Sequence, residues 1–255
     1  MQSFRKSWTV FATTIRYLLG TRRVIPMAFL ATVPFLVTVG LAAGRVATFD
    51  INLFQLLMVP LFLQIVVIFI TLVNATTLIR EEIDDNTLPY LLTRPISKPA
   101  IATSKYLAYV VTVLVLLIPP VVLAYAVTEA YSGTGFGTDS DVLAGFLVAT
   151  ILASIAYGAL FLFVSVLLRK PLAVGLLIGF VWESIVGAIP GDVPKLSIIH
   201  YLRSILRDMI AVGPYVGYRP YVSAGVAAAV LIVFTIAMLV LTILVFQQME
   251  FRQKA

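Results

Sequence analysis

The sequence contains no cysteine, which excludes disulfide bonds, thiolate metal ligands and a cysteine nucleophile. It contains one histidine, His200, which argues against a metal site or a proton relay built from several histidines. Charged residues are also scarce, at 12% of the chain, whereas soluble domains carry roughly 25%. With 61% hydrophobic residues, this composition predicts a protein that crosses a membrane several times.

Long apolar runs support this prediction, because a bilayer takes about 20 apolar residues to cross. Six runs are long enough: approximately residues 24–44, 53–78, 105–128, 142–168, 171–189 and 222–247. The first 23 residues do not have the pattern of a cleavable signal peptide. Their aromatic and aliphatic side chains recur at helical spacing beside basic residues, which predicts an amphipathic helix in the membrane interface. The sequence thus predicts a single all-α integral membrane domain over residues 1–255.

Basic residues indicate the orientation of the predicted spans. Most of the 18 Lys and Arg residues lie before span one, between spans two and three, between spans four and five, or after span six. The positive-inside rule then predicts a multi-pass protein of the cytoplasmic membrane with both termini in the cytosol, and the positive net charge needs no nucleic-acid partner. Residues 190–221 are an exception, with four cations on the outer side. Helical spacing of their apolar residues predicts a short amphipathic or re-entrant helix there.

The longest polar interval near the middle of the chain is residues 79–104. Its acids are Glu81, Glu82, Asp84 and Asp85, and its later charges are Arg94 and Lys98. An interval this polar does not suit the lipid interior. It is interpreted as a short cytosolic helix that contacts another protein, and a solvated loop between two spans is the alternative.

This interval resembles the cytosolic segment of type-2 ABC exporter permeases, which commonly read E-R-E-x-G-T-L-x-L-L-L-x-x-P-[VI]-S-[RK] with a later G-K. The matching residues are Arg80, Glu81, Glu82, Thr87, Leu88, Leu91, Leu92, Pro95, Ile96, Ser97, Lys98 and Lys105. Asn86, Pro89 and Ser104 depart from the pattern. The six-span layout, the amphipathic N-terminal helix and the outer helix also agree with that family.

The resemblance implies that residues 79–104 hold a coupling helix, which docks on an ATP-hydrolysing subunit. The expected coupling residues are Glu81, Glu82, Asp84, Asp85, Thr87, Leu88, Tyr90, Leu91, Leu92, Arg94, Pro95, Ser97 and Lys98. Because the chain lacks the phosphate-binding pattern GxxxxGK[ST], ATP and Mg²⁺ are expected on a separate partner. The implied assembly has two ATP-binding subunits and two permease chains, expected as a homodimer surrounded by membrane lipid. No catalytic residue, cofactor or metal is expected in this chain.

Glu183 is the only acid placed deep in an apolar run, where a carboxylate is costly and usually faces a cavity or a partner. One interpretation gives it a role in gating the outer end of a transport pathway, paired with Arg203 or Arg207. The other makes it a buried structural pair or a protonated carboxyl group bonded to backbone. His200 and the two arginines share one helical side, which suits lipid phosphates or an anionic substrate, and Trp182 suits an outer aromatic belt.

Two GxxxG pairs, Gly40/Gly44 and Gly175/Gly179, lie in predicted spans. This spacing lets helix backbones approach closely. The pairs are candidates for dimer packing, and ordinary packing within the chain is the alternative.

Three classes of function remain open at this stage. The first is the permease subunit of an ATP-driven exporter that works by alternating access. The second is a secondary transporter or channel that uses Glu183 as an intramembrane ionisable site, and independence from ATP would favour it. The third is an integral-membrane enzyme, for which the acid cluster at 81–85 lacks a nearby histidine or nucleophile.

Overall fold

The structure, a computed structural model, describes residues 2–44, 49–84, 98–132, 137–189, 191–219 and 221–248. Throughout these ranges the regular structure is helical, and no strand occurs within them. The α-helices, numbered in chain order, are α1 (Gln2–Gly20), α2 (Val24–Ala43), α3 (Ile51–Met58), α4 (Ile68–Asp84), α5 (Lys98–Ser132), α6 (Ser140–Leu167), α7 (Pro171–Leu176), α8 (Glu183–Val186), α9 (Ile198–Met209) and α10 (Ala224–Gln248). Two π-helical stretches (Val59–Val67 and Leu177–Trp182) and one 3-10 helix (Val193–Leu196) complete the set.

Five stretches are long and apolar enough to cross a membrane: Val24–Ala43, Ile51–Leu78, Pro99–Ser132, Ser140–Leu167 and Ala224–Gln248. They confirm five of the six predicted spans. The sixth prediction, residues 171–189, corresponds to the apolar helix Pro171–Val186, which we call the short fifth helix. At 1.5 Å per residue it is about 24 Å long, less than the roughly 30 Å thickness of a hydrocarbon core. A full sixth span is therefore not established.

The second span is continuous but changes its helical winding near the middle. The π-helical stretch starts at Val59, and Pro60 is its second residue. Proline has no N–H to donate to the preceding turn, and its ring crowds the carbonyl four residues earlier. Local rewinding to the wider π-helix is one way in which a helix accommodates such a break.

Helix α6 forms the centre of the bundle, with α4, α5, α9 and α10 packed around it. Small buried residues such as Ala149, Ala153 and Gly158 allow these close contacts. A Cβ atom at Gly158 would overlap the ring of Tyr109 on α5, whose hydroxyl donates to the Ser154 carbonyl. The α5–α6 contact is therefore closely packed at this level.

Hydrogen bonds between helix ends define two faces of the bundle: the starts of α3 and α6 are bonded to the segment after α9, and the end of α4 is bonded to the start of α5. We call the face that carries α9 the distal face, and the face that carries α1 and the end of α10 the proximal face. The helix predicted within residues 1–23 is confirmed as α1, which packs against α5 and buries Leu18. On the distal face, the predicted short amphipathic helix is confirmed as α9, which packs against α6 and α10.

Candidate functional site

The predicted coupling segment lies mostly outside the described residues. Asp85, Thr87, Leu88, Tyr90, Leu91, Leu92, Arg94, Pro95 and Ser97 fall in the range 85–97, of which the structure describes nothing. The backbone of Glu81, Glu82 and Asp84 forms the last turn of α4, and Lys98 begins α5. The segment is thus bounded by two long helices that continue into the second and third spans.

Lys105 links these two helices at the base of the segment. Its side chain is 4% exposed, and its Nζ donates a hydrogen bond of 2.9 Å to the carbonyl oxygen of Leu78. Leu78 lies six residues before the end of α4, so the ammonium adds a hydrogen bond from α5 to a carbonyl inside the last turns of that helix. The sequence showed Lys105 as a motif residue, but it carried no signal that identified Leu78 as the partner.

Glu183 caps the first turn of α9. Its two carboxylate oxygens accept hydrogen bonds of 3.0 Å from the amides of Ile198 and Ile199, and its side chain is 3% exposed. Ser197, the residue that would normally cap this helix, instead donates its hydroxyl to Pro194. A carboxylate at a helix N-terminus is favoured by the amides and by the helix dipole. The short fifth helix is thereby bonded to α9.

The structure does not contain the expected ion pair between Glu183 and Arg203 or Arg207 among its described residues. Within the described ranges neither arginine forms a salt bridge with Glu183. Arg203 lies 3.5 Å from the Gly187 carbonyl, and Arg207 donates to the Tyr218 carbonyl at 2.9 Å. Backbone amides donate to both oxygens of Glu183 instead, which agrees with the backbone-bonded alternative in the type of partner but does not test its protonation.

Tyr218, from the segment that follows α9, packs against the polar side of that helix. Its hydroxyl is 2.9 Å from Nδ1 of His200, and its ring lies 5.8 Å from the Arg203 guanidinium. His200 is fully buried. Burial lowers the pKa of His200, and the positive charges of Lys195 and Arg203 lower it further. The predicted polar stripe is therefore packed against the 211–219 segment, with His200 favoured in its neutral form.

Further hydrogen bonds attach α9 and its following turn to α10, to the segment before α10, and to α6. Asp208 accepts from the Ala224 amide, at the start of α10, and from the Tyr221 hydroxyl, each at 2.8 Å. Asp141, at the start of α6, accepts from the Ala211 amide at 2.8 Å. The Ala224 amide bond lowers the pKa of Asp208 most, followed by the Tyr221 hydroxyl.

The second span also reaches this layer, through Gln55. Its buried side-chain amide donates to the Val212 carbonyl at 2.9 Å. Gly213 has a φ of +144°, and a Cβ at this position would overlap the Gln55 amide. A glycine is thus required here on both conformational and steric grounds. The sequence did not predict that Gln55, Asp141 and Asp208 bond to the distal segments. Each of them binds a backbone group, and a backbone group can belong to any type of residue, so the sequence shows no pattern that identifies the partner.

The two GxxxG pairs have different surroundings. A Cβ at Gly175 would overlap Leu72, and one at Gly179 would overlap Ile68, so both face the second span of the same chain. This corrects the assignment of the Gly175/Gly179 pair to dimer packing. Nothing lies within 4 Å of a Cβ at Gly40, and both Gly40 and Gly44 are exposed. The Gly40/Gly44 face is therefore open to another chain or to lipid.

The remaining predicted residue, Trp182, lies half-exposed on the distal part of the short fifth helix. Its indole nitrogen donates to the Leu196 carbonyl at 3.3 Å, which places the ring beside Glu183 and the start of α9. Within the part of the chain that the structure describes, no three histidine or carboxylate side chains come together as metal ligands.

Comparison with known proteins adds one positive finding. A family model described as "ABC-2 family transporter protein" matches residues 20–186. The match includes the first four long spans, the interval between the second and third, and the short fifth helix up to its last residue. No curated protein matches the chain. Helices α9 and α10 follow the matched range.

Proposed function

Because the chain belongs to the ABC-2 family of transporter membrane proteins, we propose that it is the permease subunit of an ATP-driven exporter. ABC-2 permeases generally pair with ATPase subunits. In the proposed assembly two such subunits bind ATP and Mg²⁺, and two copies of this chain form the membrane pathway. Residues 79–104 then face the cytosol with both termini, and the assembly resides in the cytoplasmic membrane.

The main support for the proposal is the way in which the 79–104 interval is connected to the second and third spans. Helix α4 continues without a break from within the second span to Asp84, and α5 runs from Lys98 through the third span. The Lys105–Leu78 hydrogen bond joins the two at their bases. A displacement of the interval by a docked subunit would therefore be passed to two spans together, because helices in a packed bundle move as rigid elements.

Chemistry within the interval fits docking into a groove of a partner. Leu88, Tyr90, Leu91 and Leu92 supply an apolar centre, as the buried core of an interface requires. The acids Glu81, Glu82, Asp84 and Asp85 and the cations Arg94 and Lys98 supply charges for its rim. Thr87, Pro95 and Ser97 complete the proposed coupling motif.

At the distal face we propose that α9 forms part of the outer gate. Glu183 bonds α9 to the short fifth helix, and Asp208 bonds it to α10. The turn that follows α9 is bonded to α6 through Asp141. The residues His200, Arg203, Arg207 and Trp182 line this layer. During alternating access, α9 would move with these helices as one body, because each contact would have to break for it to move alone.

The secondary-transporter alternative receives less support from the geometry. Its candidate for an ion site is Glu183, the acid that the sequence places deep in an apolar run. Both carboxylate oxygens already accept backbone amides, so neither is presented to a cation or a pathway.

Cysteine cross-linking tests the proposed docking directly, because the natural chain contains no cysteine. The chain with Leu91→Cys would be produced together with its candidate ATPase and treated with a thiol-to-amine cross-linker. We expect a covalent product between the two subunits. The control is Val212→Cys, on the distal face, where the side chain is 58% exposed. A product from Val212→Cys alone, or from neither, would refute docking at this interval.

A further inference from the structure

A cavity of about 320 Å³ lies between four elements near the distal face. Helix α6, the short fifth helix, α9 and α10 all contribute to its walls. The main apolar lining residues are Leu160, Ile178, Trp182, Ile198, Leu231 and Phe234. A volume near 300 Å³ is at the lower end of what small-molecule sites occupy.

The polar groups of the lining are bonded within the chain. Glu183 accepts the amides of Ile198 and Ile199, and the Ser197 hydroxyl donates to Pro194. The Tyr201 hydroxyl donates to the Lys195 carbonyl, and the Trp182 indole donates to Leu196. An occupant of the cavity is therefore offered hydrocarbon and aromatic surface, which favours an apolar ligand over an ionic one.

The cavity lies at a depth that falls within one leaflet of a bilayer. Its lining residues on α10 run from Val230 to Phe234, and the deeper of these, Phe234, is ten residues or about 15 Å from the start of the helix at Ala224. This distance is half of the roughly 30 Å thickness of a hydrocarbon core. Trp182 and Tyr201 lie near the distal end of the cavity, where amphipathic aromatic rings suit the lipid headgroup level.

A cation marks the rim of the cavity at the same end. The Lys195 ammonium is 46% exposed and lies 2.7 Å from the exposed carboxylate of Asp192. An exposed ion pair of this kind contributes little free energy, so a phosphate can exchange for the carboxylate at small cost. The rim thus offers a positive charge next to an apolar slot.

From these observations we propose that the cavity binds one acyl chain of a phospholipid from the leaflet at the distal face, with an anionic headgroup at Lys195. The proposal rests on the membrane location of the family and not on export or on an ATPase partner. A bound lipid would fill the space between the short fifth helix and α10. Among the described contacts, these two elements are connected mainly through α6 and α9.

The test uses the full-length chain in lipid nanodiscs that contain a phosphatidylglycerol with a photoactivatable group in one acyl chain. After irradiation, labelled peptides are mapped by mass spectrometry. We expect label on residues 178–183 and 230–234. Val230→Trp should reduce this label about tenfold, because the indole occupies the slot and removes apolar burial of the chain.

The matched control is Val233→Trp, on the same helix, where the side chain is 65% exposed and does not line the cavity. Its label should stay within about twofold of the natural chain. Lys195→Gln should keep the label but remove the preference for phosphatidylglycerol over phosphatidylcholine. Equal labelling in Val230→Trp and Val233→Trp would overturn the proposal.

Discussion

The proximal and distal ends of this bundle are held together by different kinds of bond. At the distal end, three carboxylates accept backbone amides from neighbouring elements, and a glutamine amide adds a fourth connection. At the proximal end, the ammonium of Lys105 on α5 donates to a backbone carbonyl of α4 near the 79–104 interval. The distal elements are thus joined to one another by several bonds to backbone, whereas the proximal interval is bounded by two helices that continue into the bundle.

The largest effect is expected where the distal layer loses its buried carboxylate. Glu183→Ala leaves the amides of Ile198 and Ile199 buried without an acceptor, which should cost about 3 kcal/mol of unfolding free energy. Glu183→Gln retains one acceptor oxygen and should lose about half as much. Thermal unfolding in detergent, followed by the fluorescence of the adjacent Trp182, measures both.

Asp192→Asn provides the control for this pair, since its carboxylate is exposed on the same face. It should change stability by less than about 1 kcal/mol. An equal loss of unfolding free energy in Asp192→Asn and Glu183→Ala would mean that the Glu183 cap on α9 contributes no more stability than an exposed carboxylate. The comparison between the two ends would then fail.

Close packing between the two ends is the next point to test. Gly158→Ala forces a Cβ into the ring of Tyr109 and should cost about 2 kcal/mol. Gly40→Ala has no neighbour within 4 Å and should be neutral or stabilising by up to about 1 kcal/mol, since alanine favours a helix. Both values come from thermal unfolding. A destabilised Gly40→Ala with a lost dimer would instead place the Gly40/Gly44 face in a dimer interface.

A smaller loss is expected at the proximal connection. Lys105→Met keeps the apolar length of the side chain but removes the donor to Leu78, which should cost about 1–2 kcal/mol. Lys170→Met, in the exposed turn before α7, should have almost no effect. Hydrogen exchange of the last turns of α4 gives a local measurement. Unchanged protection there in Lys105→Met would show that the bond does not order the base of the interval.

The smallest predicted effect is a pH dependence at His200. Because the folded state holds the pKa of His200 below its ordinary value of 6.5, the neutral form contributes stability that is complete above that pH. This contribution is lost as the pH falls from about 6.5 through the lower folded pKa. We expect the unfolding temperature to fall between about pH 7.5 and 5.5, and to fall less in His200→Asn.

Asp208 does not interfere with that measurement. Its pKa is lowered from an ordinary 3.8, so it remains ionised throughout this pH range. An identical pH slope in the natural chain and in His200→Asn would rule out His200 as its source.

Most of the fold was accessible from the sequence, because apolar run length and helical spacing report directly on burial in lipid or protein. The amphipathic pattern located α9, and the buried Ile199, Leu202 and Leu206 confirm its apolar side. Hydropathy did not reveal that the fifth run ends at Val186. The chain turns at Gly187, and residues 187–189, although apolar, lie outside the helix.

Less of the candidate site could be predicted, for a physical reason. Glu183 was recognised as unusual because a carboxylate in an apolar run is costly. Its partners are amides, and every residue except proline has one, so no pattern identified Ile198 and Ile199. The full burial of His200 was likewise invisible, since it depends on Tyr218 folding back from eighteen residues away.

Copurification tests the central claim most directly. The tagged chain would be expressed with its genomic neighbours, extracted in mild detergent, and assayed for a bound subunit that hydrolyses ATP. The account predicts that an ATPase copurifies in equal amount with the natural chain and is lost when Leu91→Arg and Leu92→Arg are combined, while Val212→Arg retains it. If no ATPase accompanies the natural chain, or if the double variant retains it unchanged, the account of the 79–104 interval as a coupling segment is contradicted.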